Sequence, residues 1–184
     1  MVIPVPTELI DAARDGGPVQ VERLLELIWP DAYRLARAIL ADQQGAEDAA
    51  QEACIILYRT IRSLRSADAF RVWFYRIVVR EASELKRRRY RPEQAIEMAP
   101  NVCDQAESID VWRALSALPQ HLRDVVVLRY FEDLSSREIS SVLQIPDGTV
   151  RFRLMIAKRR LRPMLGDTPV YITHAASEVR TNAI

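Results

Sequence analysis

Three sets of side chains in this 184-residue chain have the types and spacing to do chemistry. The first is Asp48, Gln51, Glu52 and Ile55, which a helix brings to one face because they stand at i, i+3, i+4 and i+7. Paired carboxylates can trade a proton or hold a cation, but no histidine or third acid joins these two, so acid–base and metal chemistry are poorly supported. On residue types alone the face is a solvated one. The second set lies in FRVWFYRIVVREASELKRRRYRP, where helical spacing sends Phe70, Phe74, Ile77, Val78 and Leu85 inward. The same spacing leaves Trp73, Arg76, Arg80, Ser83 and Arg87 on a common outer face. A flat ring beside a ladder of guanidinium groups suits unpaired DNA: a base stacks at about 1–3 kcal/mol while cations track the phosphates. A core position for Trp73 fits the periodicity equally well. The third set is Gly148, Phe152, Met155, Arg159 and Arg162, flanked by Arg151 and Lys158 on one side and by Arg153 and Arg160 on the other.

The elements that must carry the third set can be read closely. Leu122, Val125, Val126 and Arg129 follow a 3.6-residue period and predict a helix entered at Pro119. Ser135-Ser-Arg-Glu138 is a capping box opening a second helix with Ile139, Val142 and Leu143 inward. The chain breaks at Gln144 and Ile145, and Pro146-Asp147 restarts it, proline fitting the first helical turn and a carboxylate suiting the helix dipole. The third helix places Val150, Leu154, Ala157 and Leu161 on its apolar stripe. A short helix, a three-residue turn and a longer arginine-rich helix outline a helix-turn-helix, whose second helix enters the major groove of DNA.

Upstream, residues 1–18 read as a lead-in around a short helix at Glu8 to Arg14. Val21, Leu24, Leu25 and Ile28 mark a helix that Pro30 should kink or restart before Leu35, Ala36, Ile39 and Leu40. Gly45 ends a turn, and a helix begins at Ala46 with Ala49, Ala53, Ile56, Leu57 and Ile61 inward. Residues 63–69 are a loop, Pro92 stops the aromatic helix, and residues 93–108 are an acidic linker. Ile109, Trp112, Leu115 and Leu118 restore a helix, Trp112 in its core. The tail 166–184 holds a β-prone VYIT and reads as disordered or, alternatively, as an accessory contact with another protein.

Hydrophobic residues make up 49% and charged residues 28%, the make-up of an ordinary soluble globular chain. No apolar run approaches the ~20 residues needed to span a bilayer, and the start lacks a basic region followed by an apolar core. A cytoplasmic protein without membrane insertion is expected. Cys54 and Cys103 suggest free thiols, and His121 and His174 stand near neither, so neither metal nor cofactor is expected. The net charge of +1 hides an alternation. Basic residues number 4 against 10 acidic in 1–56, 11 against 3 in 57–91, 1 against 5 in 92–118, 9 against 5 in 119–165, and 1 against 2 in 166–184. Two basic blocks parted by acidic ones suggest two DNA-facing surfaces and one for another partner.

LPQHLRDVVVLRY followed by LSSREISSVLQIPDGTVRFRL resembles the minus-thirty-five-reading domain of bacterial sigma factors of the extracytoplasmic-function group, in the sigma-70 superfamily. QQGAEDAAQEACIILYRTI resembles that family's helix that docks on the clamp coiled coil of RNA polymerase, and FRVWFYRIVVREASELKRRRYRP its minus-ten reader. The resemblance implies an all-α chain of two small helical domains, 19–92 and 109–165, joined by a flexible acidic linker, the second a helix-turn-helix of winged-helix-like kind. It implies a non-enzymatic initiation factor that binds core RNA polymerase, beta and beta-prime subunits, reads promoter DNA and is held by an anti-sigma factor. On the matching positions, Asp48, Gln51, Glu52 and Ile55 would meet polymerase. Leu64, Arg65, Ser66, Ala67 and Asp68 would capture a flipped base, beside Trp73, Arg76, Arg80 and Arg87 on the opened minus-ten strand. Arg80 stands where the family's pattern has asparagine. Lys86, Arg88, Arg89 and Arg91 would follow duplex phosphates, adding affinity without sequence choice. Ser135, Gly148, Thr149, Arg151, Phe152, Arg153, Met155, Lys158 and Arg159 would meet the minus-thirty-five duplex. Phe152 and Met155 stand where the family often carries hydrogen-bonding residues, a change that suits thymine methyls better than guanine edges.

Two other classes compete. An adaptor that mimics a sigma factor to sequester an anti-sigma protein would need no basic DNA-reading faces. A stand-alone helix-turn-helix repressor would leave the acidic helix and the aromatic cluster without a role.

Overall fold

The computed structural model describes residues 5–89, 111 and 113–165, among which helices and turns occur and no strand. The chain divides into two compact units, the division falling between Glu97 and Met98. The expected linker 93–108, Ile109, Trp112, Arg91, Cys103, His174 and the tail with its VYIT lie outside the described residues.

The first unit holds α1 (Thr7–Arg14), α2 (Pro18–Leu40), α3 (Gln43–Thr60) and α4 (Phe70–Arg89). Helix α1 lies in the segment expected to be a lead-in, yet Ile10 and Ala13 are buried and α1 packs on α2. Two buried positions in an eight-residue helix are too few to mark a packing stripe in sequence. Gly16 makes the turn into α2 with φ +98°, a conformation that L side chains rarely adopt.

Of the two expected effects of Pro30, a kink or a restart, the restart does not occur: α2 runs through the proline as one helix. A proline there forfeits one backbone bond and crowds the preceding turn, at about 3 kcal/mol. Leu24, Ile28, Ala32, Leu35, Ala36 and Ile39, buried on both sides of it, offset that cost, since each large apolar side chain removed from water contributes about 1.5–3 kcal/mol. The helix ends at Ala41, left-handed at φ 56°, whose N–H bonds to Arg37 O.

Helix α3 begins three residues before the expected Ala46. Asp42 is its N-cap, and the carboxylate accepts from Gly45 N at 2.8 Å. Gly45 thus belongs to the first helical turn, buried. Ala46, Ala49, Ala50 and Ala53 form the floor of α3, at most 3% exposed, so short side chains let it lie close against α2 and α4. Ile56, expected inward, is half-buried, as are Ile77 and Leu85 of α4, where Tyr75, Val79 and Ala82 take the buried places instead.

The second unit holds helical residues 113–116, then α5 (Gln120–Tyr130), α6 (Ser136–Leu143) and α7 (Asp147–Leu165). Ala114, Leu115, Leu118, Leu122, Val126, Ala157 and Leu161 form its core. Arg123 is buried at 6% exposure and its guanidinium closes the preceding turn. Nε donates to Leu115 O at 2.8 Å, and Nη2 donates to Ser116 O at 2.6 Å and to Leu118 O at 3.1 Å. Leu115 O also accepts from Leu118 N at 3.1 Å, so the guanidinium adds a charged donor, stronger than a neutral one, to a turn at the end of the preceding helical segment.

Candidate nucleic-acid interface

The recognition helix is set by its neighbours before any outward residue matters. The capping box at the start of α6 is complete: Glu138 N donates to Ser135 Oγ at 3.2 Å and Ser135 N donates to Glu138 Oε2 at 2.8 Å. Gln144 ends α6 in the left-handed region at φ 54°, its N–H bonded to Ser140 O. Ser140 Oγ donates to Ile145 O at 2.6 Å, and Pro146 O accepts from Thr149 N at 2.9 Å, opening α7. Val150, Ala157 and Leu161 are buried and Leu154 is half-buried, which fixes the roll of α7. That roll brings Gly148, Phe152, Met155, Arg159 and Arg162 outward together, with Arg151, Lys158 and Arg160 exposed beside them. Arg153 and Thr149 are half-buried, and Arg151 pairs with Asp147. Lys158 Nζ stands 5.8 Å from the Tyr130 ring centroid, a cation over an aromatic face. Ser135 is exposed, but its hydroxyl is occupied in the cap, 2.6 Å from Glu138 Oε2.

In the first unit, Leu64 N donates to Ile61 O at 3.0 Å as a 3-10 turn, Ile61–Ser63, ends. Leu64 points inward at 5% exposure and anchors the loop, while Arg65, Ser66 and Asp68 face solvent and Ala67 is half-buried. Ala67 and Asp68 also line a pocket of about 350 Å3, together with Ile10, Ile28, Asp31 and Arg71. Trp73 is neither core nor free: half-buried, its ring sits 6.2 Å from that of Phe70 at 41°. Phe70 and Phe74 stack beneath it at 5.8 Å.

Along α4, Arg76 and Lys86 are half-buried, and the Arg80 side chain is 82% exposed with Nε 3.7 Å from Glu81. Arg87 and Arg88 pair with Glu84, the latter at 3.2 Å. The hydrogen bond from Arg87, joined by Arg88, holds the Glu84 carboxyl below its usual range. The Arg89 side chain and Arg91 lie outside the described residues.

On α3, Asp48, Gln51 and Glu52 are exposed and Ile55 is half-buried on one face. Tyr58, 62% exposed, extends this face by a turn. Its signal was present, three positions beyond Ile55, but an aromatic reads as core on sight. Cys54 is a half-buried free thiol that burial pushes up to about 11. Among the described residues no three His, Cys, Asp or Glu gather to hold a metal ion, and no helix is long and apolar enough to cross a membrane.

Two family profiles match the chain, sigma-70 region 2 over residues 24–91 and sigma-70 region 4 over residues 108–161. The RNA polymerase sigma factor SigV of Bacillus subtilis is 31% identical over 140 residues, covering 73% of this chain and 84% of that protein. The ECF RNA polymerase sigma factor SigM of Mycobacterium tuberculosis is 30% identical over 164 residues, covering 86% and 84%. Among solved structures, the sigma factor RpoE in complex with the anti-sigma factor NepR from Bartonella quintana has the same fold, with a TM-score of 0.68 at 19% identity over 80% of this chain and 98% of that one.

Proposed function

The chain belongs to the sigma-70 family, within its extracytoplasmic-function group of promoter-directing initiation factors, and on that premise we propose which of its faces does what. Such factors are not enzymes; this one lends RNA polymerase its choice of promoter. The observation that carries the division of labour is the roll of α7: its apolar stripe is buried, and the opposite face is arginine-rich and open. Helix α7 contacts the minus-thirty-five duplex through Gly148, Arg151, Phe152, Arg153, Met155, Lys158 and Arg159, with Thr149 alongside. Ser135 contributes by its cap and backbone rather than by a free hydroxyl.

On the first unit, Arg65, Ser66, Ala67 and Asp68 frame the extruded minus-ten base, with Leu64 the buried peg that holds the loop's shape. Trp73, Arg76, Arg80 and Arg87 line the opened strand, and Lys86, Arg88, Arg89 and Arg91 follow duplex phosphates. A protein without fuel must offset the few kcal/mol of unstacking by contacts available only to the extruded base. Asp48, Gln51, Glu52 and Ile55, extended by Tyr58, bind the basic clamp of the beta-prime subunit. The acidic segment 93–108 engages the active-site and RNA-exit channels of polymerase, as the family resemblance implies, where acid stands in for nucleic acid. The protein works in the cytoplasm, and an anti-sigma factor covers these same faces; the complex of a neighbouring structure with its anti-sigma factor supports that reading. Each unit alone presents few contacts, so free DNA affinity is weak until polymerase sets their spacing.

Run-off transcription with purified core polymerase tests the assignment. The wild-type chain is expected to start RNA at a defined site. Asp48→Arg reverses a charge on an exposed position, so the fold survives while core association and initiation fall at least 100-fold; full activity of that variant removes α3 from the interface.

A further inference from the structure

Phe152 and Met155 are 57% and 59% exposed, more than any other large apolar side chain described in the second unit. Packing does not account for them, because Val150, Ala157 and Leu161 already bury the opposite stripe of α7. They stand one turn apart at the middle of the outward face, between Arg151 and Arg159. Arg151 is engaged by Asp147 in the first turn, and neither Phe152 nor Met155 can donate a hydrogen bond. A Cβ at Gly148 would meet nothing within 4 Å, so the fold does not require glycine there; its bare backbone lets a groove wall approach the helix start.

In the major groove the apolar handle that a base edge offers is the C5 methyl of thymine. We propose that Phe152 and Met155 together form a methyl-reading patch that specifies thymine at two adjacent positions of the minus-thirty-five element. Three residues of helix rise about 4.5 Å, against about 3.4 Å between base steps, so one turn of α7 spans neighbouring base pairs. The inference rests on the reading of α7 as the minus-thirty-five helix and adds to it the bases read.

The test uses the full chain with bacterial core polymerase, selecting start-site-directed transcripts from a duplex library randomised across the minus-thirty-five region. Each selected thymine is then replaced by uracil, which keeps every hydrogen-bonding group and lacks only the methyl. An adjacent thymine pair is expected, and each uracil should lower transcript yield about fourfold, the worth of one buried methyl-sized group. Phe152→Ser and Met155→Ser should each become indifferent to uracil at one of the two positions. Unchanged yield with uracil at every selected thymine overturns the proposal, as does uracil sensitivity that persists in the double variant. Absence of any defined start overturns the initiation reading itself, and this proposal with it, so the two failures look different.

Discussion

Helices α4 and α7 are nearly equal in length, 20 and 19 residues, and both set arginines on an outward face, yet they dispose them in opposite ways. In α4 the aromatic group comes first, half sunk against Phe70, and the acid that ties its arginines, Glu84, stands near the far end. In α7 the tying acid, Asp147, comes first, and the apolar pair sits mid-helix, open to solvent. An aromatic braced from behind, with cations farther along, suits a strand whose bases have left the stack. Open apolar groups between cations suit a groove whose bases remain stacked.

The sharpest way to break this contrast is Trp73→Ala. A lost base platform at about 1–3 kcal/mol should cut initiation on duplex promoter about 5- to 150-fold, with much of the loss recovered on a pre-opened template. Equal loss on both templates would make Trp73 a structural side chain only. Arg159→Ala probes the other helix: binding should weaken roughly fivefold, and the slope of log affinity against log salt should fall by about 1, without change in the preferred sequence. A changed sequence preference would make Arg159 a base reader. Ser135→Ala should lower stability of the second unit by about 1 kcal/mol, read as an earlier urea midpoint, while the selected promoter stays the same.

The smallest effect concerns Glu84. Its lowered carboxyl means that the pairs with Arg87 and Arg88 are intact at neutral pH and are lost only as pH falls below the ordinary carboxylate range. Between pH 5 and 8, Glu84 should therefore put no step into nonspecific DNA binding. Glu84→Gln, by releasing two guanidinium groups, should tighten that binding about two- to threefold at pH 7. Unaltered affinity would show that the pairs do not compete with phosphate.

Much of the second unit was legible because its signals are local. The Ser135–Glu138 box, the break at Gln144 and the restart at Pro146 each depend on residues within one turn, and together they set the roll of α7, so all five outward positions came out as read. The first unit was harder because its decisive features are tertiary or lie at places where one-residue rules mislead. Pro30 reads as a breaker until burial on both sides outweighs it. Asp42 caps α3, but the glycine three residues on looked like the end of a turn. The inward turn of Leu64 depends on the walls around it. Arg123 shows the same limit in the second unit: a charged residue in a polar-looking stretch gives no hint that three carbonyls await it.

That arginine has a practical corollary. Its acceptors, Leu115, Ser116 and Leu118, all precede the helix that bears it, so a fragment cut to begin at Pro119 would keep every residue of the helix-turn-helix and still lose three charge-assisted hydrogen bonds together with Ala114, Leu115 and Leu118 of the core. The shortest piece that folds as a DNA reader on its own therefore starts at or before Val111, which packs on that core, well ahead of the residues proposed for the groove.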